Sequence, residues 1–104
     1  MDYLPEVYQG FQRRFPDISG TYEKLAVMCN EDGPLDVKTR ELVKLGIAIG
    51  LSSEGAVRSH VRRALSAGVS AEGVRHAVLV SMTTAGFPAM IAAMKWVDEV
   101  LDKQ

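Results

Sequence analysis

The chain has 104 residues, 47% apolar and 24% charged, with a formal net charge of -1 and an isoelectric point near 6.1. That length and balance predict one globular domain over residues 1–104 and give no overall electrostatic reason to expect nucleic acid or an anionic membrane as partner. A single cysteine, Cys29, excludes an internal disulfide framework, and "MDYLPEVYQGFQRRF" lacks the basic and apolar regions of a signal peptide, so a cytoplasmic protein is expected.

A first helix is predicted from roughly Leu4 to Phe15, with Tyr8, Phe11 and Phe15 at helical spacing and Pro16 ending it. A second runs from about Ser19 to Glu31 with a stripe of Tyr22, Leu25, Ala26 and Cys29. Core packing is the expectation for these aromatics and Tyr3, and a buried, inert thiol for Cys29. "EDGPLD" reads as a loop in which Asp36 caps the next helix by accepting a hydrogen bond from a first-turn amide.

The third helix, "VKTRELVKLGIAIGL", carries Leu42, Leu45, Gly46 and Ile49 on one side, with Glu41, Leu45 and Ala48 about 50° around from it. Its second half is apolar all round, which predicts burial by several neighbours, another subunit among them. Ser52 or Ser53 caps the fourth helix, which reaches about Ala67 and ends at Gly68, a residue suited to a left-handed conformation. Ser70 caps the fifth, Pro88 suits the first turn of the sixth, and Trp96 and Val100 form an i, i+4 pair near its end.

The uncharged stretch from Ala77 to Met94 approaches the length of a membrane span, but Gly86 and Pro88 divide it into two helices joined at "AGFP". The whole reads as an all-α domain of about six helices around a central antiparallel pair. Small residues such as Gly46, Ala48, Ala64 and Ala93 allow close helix approach, and so thin a core favours oligomerisation.

His60 poses the chemical question. It lies on the apolar side of the fourth helix, four residues after Ala56 and four before Ala64. An imidazole there needs a partner, because leaving it without one costs roughly 1–3 kcal/mol. A backbone carbonyl would make it a structural histidine; Glu41, one helix earlier, would lock its tautomer and form a proton-transfer pair. Glu41 has its own alternative, an exposed pairing with Lys44 or Lys38.

His76 is expected at a helix edge, and two histidines with no nearby cysteine supply no metal-ligand spacing. Gly46 and Gly50 lack the strand and lysine context of a phosphate loop.

The motifs "KTREL" opening a helix, His60 followed by "RRALSAGVSAEGV", and then "AGFPAM" resemble, in order and spacing, the carboxymuconolactone decarboxylase family, which includes the AhpD-like alkylhydroperoxidases. The resemblance covers residues 35–94 and implies an AhpD-like helical bundle assembled as a homo-oligomer, a trimer or hexamer. AhpD-like members pair a glutamate with Cys-x-x-Cys-x-x-x-His. Here Glu41 and His60 occupy the proton-relay positions, whereas Ser53 and Ala56 stand where the two cysteines would be. Dithiol peroxidase chemistry is therefore not expected, since neither residue forms a reversible disulfide.

The decarboxylase branch uses no thiol and no cofactor. Its resemblance implies acid–base chemistry on a small carboxylated or lactone-like molecule, with His60 and Glu41 catalytic and Arg58, Arg40 and Ser53 binding substrate. A non-catalytic oligomeric binding protein is the alternative from another functional class.

Overall fold

The structure, a computed structural model, describes residues 5–103, and the chain divides into two compact units, Met1–Leu35 and Asp36–Gln104. Among the described residues there are six helices of 9 to 16 residues and one four-residue helical turn, with no strand.

The first unit holds α1 (Glu6–Arg14) and α2 (Pro16–Glu31). Pro16 both stops α1 and opens α2, so α2 begins earlier than Ser19: the fixed proline φ suits a first helical turn, where the missing N–H has no intrahelical partner to lose. The Phe11 and Phe15 rings meet at 5.6 Å, and the Gln12 amide donates to the Glu23 carboxylate across 3.1 Å.

Core packing of the aromatics does not hold here. Phe11, Phe15 and Tyr22 are 38%, 45% and 60% exposed, Cys29 is exposed rather than buried, and Ser19 is the one buried residue of these two helices. Two helices in a hairpin cover only one side of each other, and nothing in the unit covers the outer side of α2. Tyr3 and the predicted start at Leu4 lie outside the described residues.

The second unit comprises α3 (Val37–Gly50), α4 (Glu54–Ser66), α5 (Ala71–Val80), the turn α6 (Met82–Ala85) and α7 (Phe87–Leu101). Asp36 caps α3 as expected, accepting from the Thr39 amide at 2.8 Å, and Ser70 caps α5 by accepting from Gly73 at 2.9 Å.

Leu51, Ser52 and Ser53 turn the chain from α3 into α4. Ser52 sits in the left-handed region (φ +52°), its amide donating to Ile49 and the Ser53 amide to Ala48, which closes α3 in a Schellman motif. Ser53 occupies the N-cap of α4, yet its hydroxyl makes no capping bond. The same motif recurs after α4, with Gly68 at φ +98° and the amides of Gly68 and Val69 donating to Leu65 and Ala64.

The core lies among α3, α4, α5 and α7, where Leu45, Ile49, Val57, Val61, Val74, Val78 and Val97 are fully buried. Each contributes about 1.5–3 kcal/mol by leaving water. On α3 the buried set is Glu41, Leu45, Ala48 and Ile49, whereas Leu42 and Gly46 are only half-buried. The core-facing side is thus rotated towards Glu41 relative to the predicted stripe.

Gly86, at φ +101°, and Pro88 break the uncharged stretch between α6 and α7. No helix of the described residues is long and apolar enough to cross a membrane.

Candidate active site

The α3–α4 hairpin is the most extensively packed helix pair of the second unit. It brings Glu41, near the start of α3, level with His60, in the middle of α4. His60 Nδ1 lies 2.9 Å from Glu41 Oε1, with the side chains 19% and 9% exposed. A carboxylate accepts, so Nδ1 carries the proton, and this bond fixes both tautomer and ring orientation. The exposed Lys44 or Lys38 alternative is thereby replaced: the rotation of α3 points Glu41 inward at the histidine.

His60 Nε2 has no protein hydrogen-bond partner among the described residues, and no buried side-chain nitrogen or oxygen is left unsatisfied there. It follows that Nε2 reaches solvent. One nitrogen is held from beneath and the other is offered outward, the arrangement by which an imidazole passes a proton to a molecule docked above it.

The remaining predicted site residues are not gathered around this pair. Arg58 precedes His60 by two positions, roughly 200° around the helix. It projects from the opposite flank of α4, where the carboxylates of Glu54 and Glu99 both bind its guanidinium. These two bonds raise its pKa, that to Glu54 being the larger cause, and Arg58 in turn holds the Glu99 carboxyl below its ordinary value.

Arg40 is half-buried next to Glu41 in sequence but turned roughly 100° around α3. Ser53 lies on the His60 side of α4, roughly 10 Å further along the axis. His76 is exposed on α5.

Glu99 is the residue that sequence reasoning missed. Its contact spans 41 positions from α7 to α4, so no local spacing announces it. Glu54, by contrast, stands four residues before Arg58, a visible helical pairing.

Two surface grooves are lined by residues away from the pair: Asp17, Ile18, Thr21, Tyr22 and Leu25 along α2, and Arg58, Arg62, Glu99, Val100 and Lys103 between α4 and α7. Among the described residues no group of three or more His, Cys, Asp or Glu side chains is placed to hold a metal ion. Only Ser53 and Ala56 precede His60 at the spacing of a redox dithiol, so the pair has no sulfur to serve there.

An uncharacterized protein of Methanocaldococcus jannaschii is 27% identical to this chain over 90 residues, covering 86% of each. Its name carries no activity to transfer. A model of the carboxymuconolactone decarboxylase family matches residues 16–99, from the first residue of α2 to the Glu99 that grips Arg58, and so reaches beyond the motif region at both ends. The chain therefore belongs to the carboxymuconolactone decarboxylase family.

Proposed function

We propose that this chain is a cofactor-free lyase or isomerase, assembled as a cytoplasmic homo-oligomer, that performs acid–base chemistry on a small carboxylated or lactone-like molecule. The observation that carries the reading is the Glu41–His60 pair with Nε2 facing outward.

In the decarboxylating form of the reaction, the bond between the ring carbon and its carboxylate breaks, carbon dioxide departs, and the electron pair remains as an enolate-like carbanion. Before this step His60 takes a proton from solvent at Nε2, becoming an imidazolium that Glu41 stabilises through Nδ1–H; it then delivers the Nε2 proton to the carbanion and returns to the neutral ring. In an isomerisation the same nitrogen removes a proton and returns it one position away. Arg58, gripped by two carboxylates, braces α4 against α7.

The test is carbon dioxide release or double-bond migration across a panel of unsaturated carboxylated lactones. General acid–base catalysis contributes typically about 10²- to 10⁴-fold, so His60→Ala should lower turnover by at least ~100-fold with the native mass unchanged. Cys29→Ser should leave turnover intact. Undiminished activity in His60→Ala would refute the assignment, and a wild-type chain inert on the whole panel would favour a binding protein.

A further inference from the structure

The Glu41–His60 pair fixes where a proton moves, and the rest of α4 fixes how much room there is beside it. At about 100° per residue, Val57, Val61 and Ala64 lie about 40° to 100° to one side of His60 around the helix, and all three are fully buried. That side is the core. Ala56 lies about 40° to the other side and Ser53 almost in line with His60, and both are only half-buried. Since Nδ1 is bound to the buried Glu41 carboxylate and Nε2 reaches solvent, Nε2 is turned away from the core, towards Ala56.

Side chains on a helix lean back towards its N-terminus and cover the turn before their own Cα. The His60 ring therefore overlies the turn that carries Ala56. Beyond the ring, the next polar side chain on the same line is Ser53, whose hydroxyl makes no capping bond and no other hydrogen bond among the described residues. Three positions separate Ala56 from Ser53, so the interval between Nε2 and that hydroxyl is about one helical turn, roughly 5 Å. Its floor is a methyl group. By the same lean, any longer side chain at position 56 would lie in that interval and fill it.

We infer that Ala56 is the specificity-determining residue beside His60, its methyl leaving room for a single flat ring laid along α4 between Nε2 and the Ser53 hydroxyl. The apolar face of the ring rests on the methyl, and an oxygen at its far edge accepts from Ser53. The inference rests on the reading of Nε2 as the reacting atom and adds to it the size and shape of the substrate.

The chain supplies its own reference for a test, because its other histidine, His76, is exposed on α5. Diethyl pyrocarbonate transfers an ethoxycarbonyl group to an unprotonated imidazole nitrogen, and mass spectrometry of the digested chain gives the rate at each histidine. The ring probe is furan-2-carboxylate at roughly 50 mM, enough for a molecule of so few atoms to occupy a weak site. In the wild type it should slow modification of His60 at least about threefold and leave His76 unchanged.

Ala56→Leu should slow modification of His60 at least about tenfold relative to His76, the equivalent of one overfilled contact, with nitrogen NMR showing the Nδ1-protonated ring retained. Leucine is nearly as good a helix former as alanine, and the position is half-buried. Should that variant fail to fold or lose the Nδ1 tautomer, Ala56→Val, expected to slow His60 about threefold, decides in its place. Ser53→Ala should leave the rate at His60 unchanged and weaken protection by furan-2-carboxylate about threefold, the loss of one hydrogen bond.

A His60 that reacts equally fast in the wild type and the bulkier variants overturns the inference. So does a wild-type His60 that the ring does not protect, or protection that is unaltered in Ala56→Leu or in Ser53→Ala. None of these readouts involves turnover. A chain that is protected as expected yet converts no lactone would lose the acid–base reading alone, and an active chain indifferent to Ala56 would lose the size limit alone.

Discussion

Replacing Glu41 by alanine removes the acceptor of the 2.9 Å bond from His60 and the stem of a side chain that is 9% exposed. A hydrogen bond to an ionised group contributes about 1.5–3 kcal/mol. Because His60 retains 19% exposure, water replaces part of what is lost, and the lower end, about 1.5 kcal/mol, applies. Deleting buried methylene adds about 0.8 kcal/mol. The sum, about 2–2.5 kcal/mol, lowers the folding equilibrium constant roughly 30- to 70-fold.

Glu41→Gln keeps the stem and presents an amide oxygen to Nδ1–H, so its cost should be about 0.5–1 kcal/mol. The assay is urea unfolding at one fixed protein concentration, joined to nitrogen NMR of the imidazole. Wild type should show the neutral ring protonated on Nδ1; in Glu41→Ala the tautomer preference should relax. Stability within about 0.5 kcal/mol of wild type, with unchanged imidazole signals, would show that the pair does not form.

Further outcomes follow from backbone and charge. Gly68→Ala places a Cβ at φ +98° and 3.1 Å from Lys38 Cε; the lysine end moves aside, but the left-handed backbone should cost about 1–2 kcal/mol in thermal or urea unfolding. Ser52→Gly, at the equivalent position after α3, should instead stabilise by about 0.5–1 kcal/mol.

Asp36, held by the Thr39 amide, and Glu99, held by Arg58, both have pKa values lowered from 3.8 and 4.5. Their contributions are complete above those ordinary values and vanish as the pH falls through the lowered ones. The urea midpoint should therefore fall on acidification. Asp36→Ser and Glu99→Gln should each flatten that fall, and an unaltered pH profile in both would contradict the assignment.

Much of the second unit was legible because its signals are local. Asp36, Ser70, Gly68 and Pro88 each act within a turn of where they stand, and each does in the structure what its chemistry dictates. Ser52 was legible only in part: a serine before a helix reads as a cap, yet here its backbone closes the helix behind it.

The buried side of α3 was displaced because the third helix is apolar nearly all round, which leaves periodicity with little contrast to register. Glu41 and His60 were individually conspicuous, but their contact depends on the α3–α4 turn length, which spacing within either helix does not encode. The exposed α2 side was misjudged for a different reason. Apolar spacing registers one face of a helix, and it does not register whether the neighbouring helices of the same unit reach that face.

Among the described residues, five of the seven largest fully buried side chains are valines, two of them on α4 at Val57 and Val61. Each has one side-chain torsion, and in a helix nearly all of its population occupies a single well. The core among α3, α4, α5 and α7 consequently has few alternative side-chain arrangements to draw on. A shift in the spacing of these helices cannot be absorbed by rotating side chains and must be carried by whole helices moving as units. Deformation of the second unit is therefore stepwise at its helix contacts and not graded within its core.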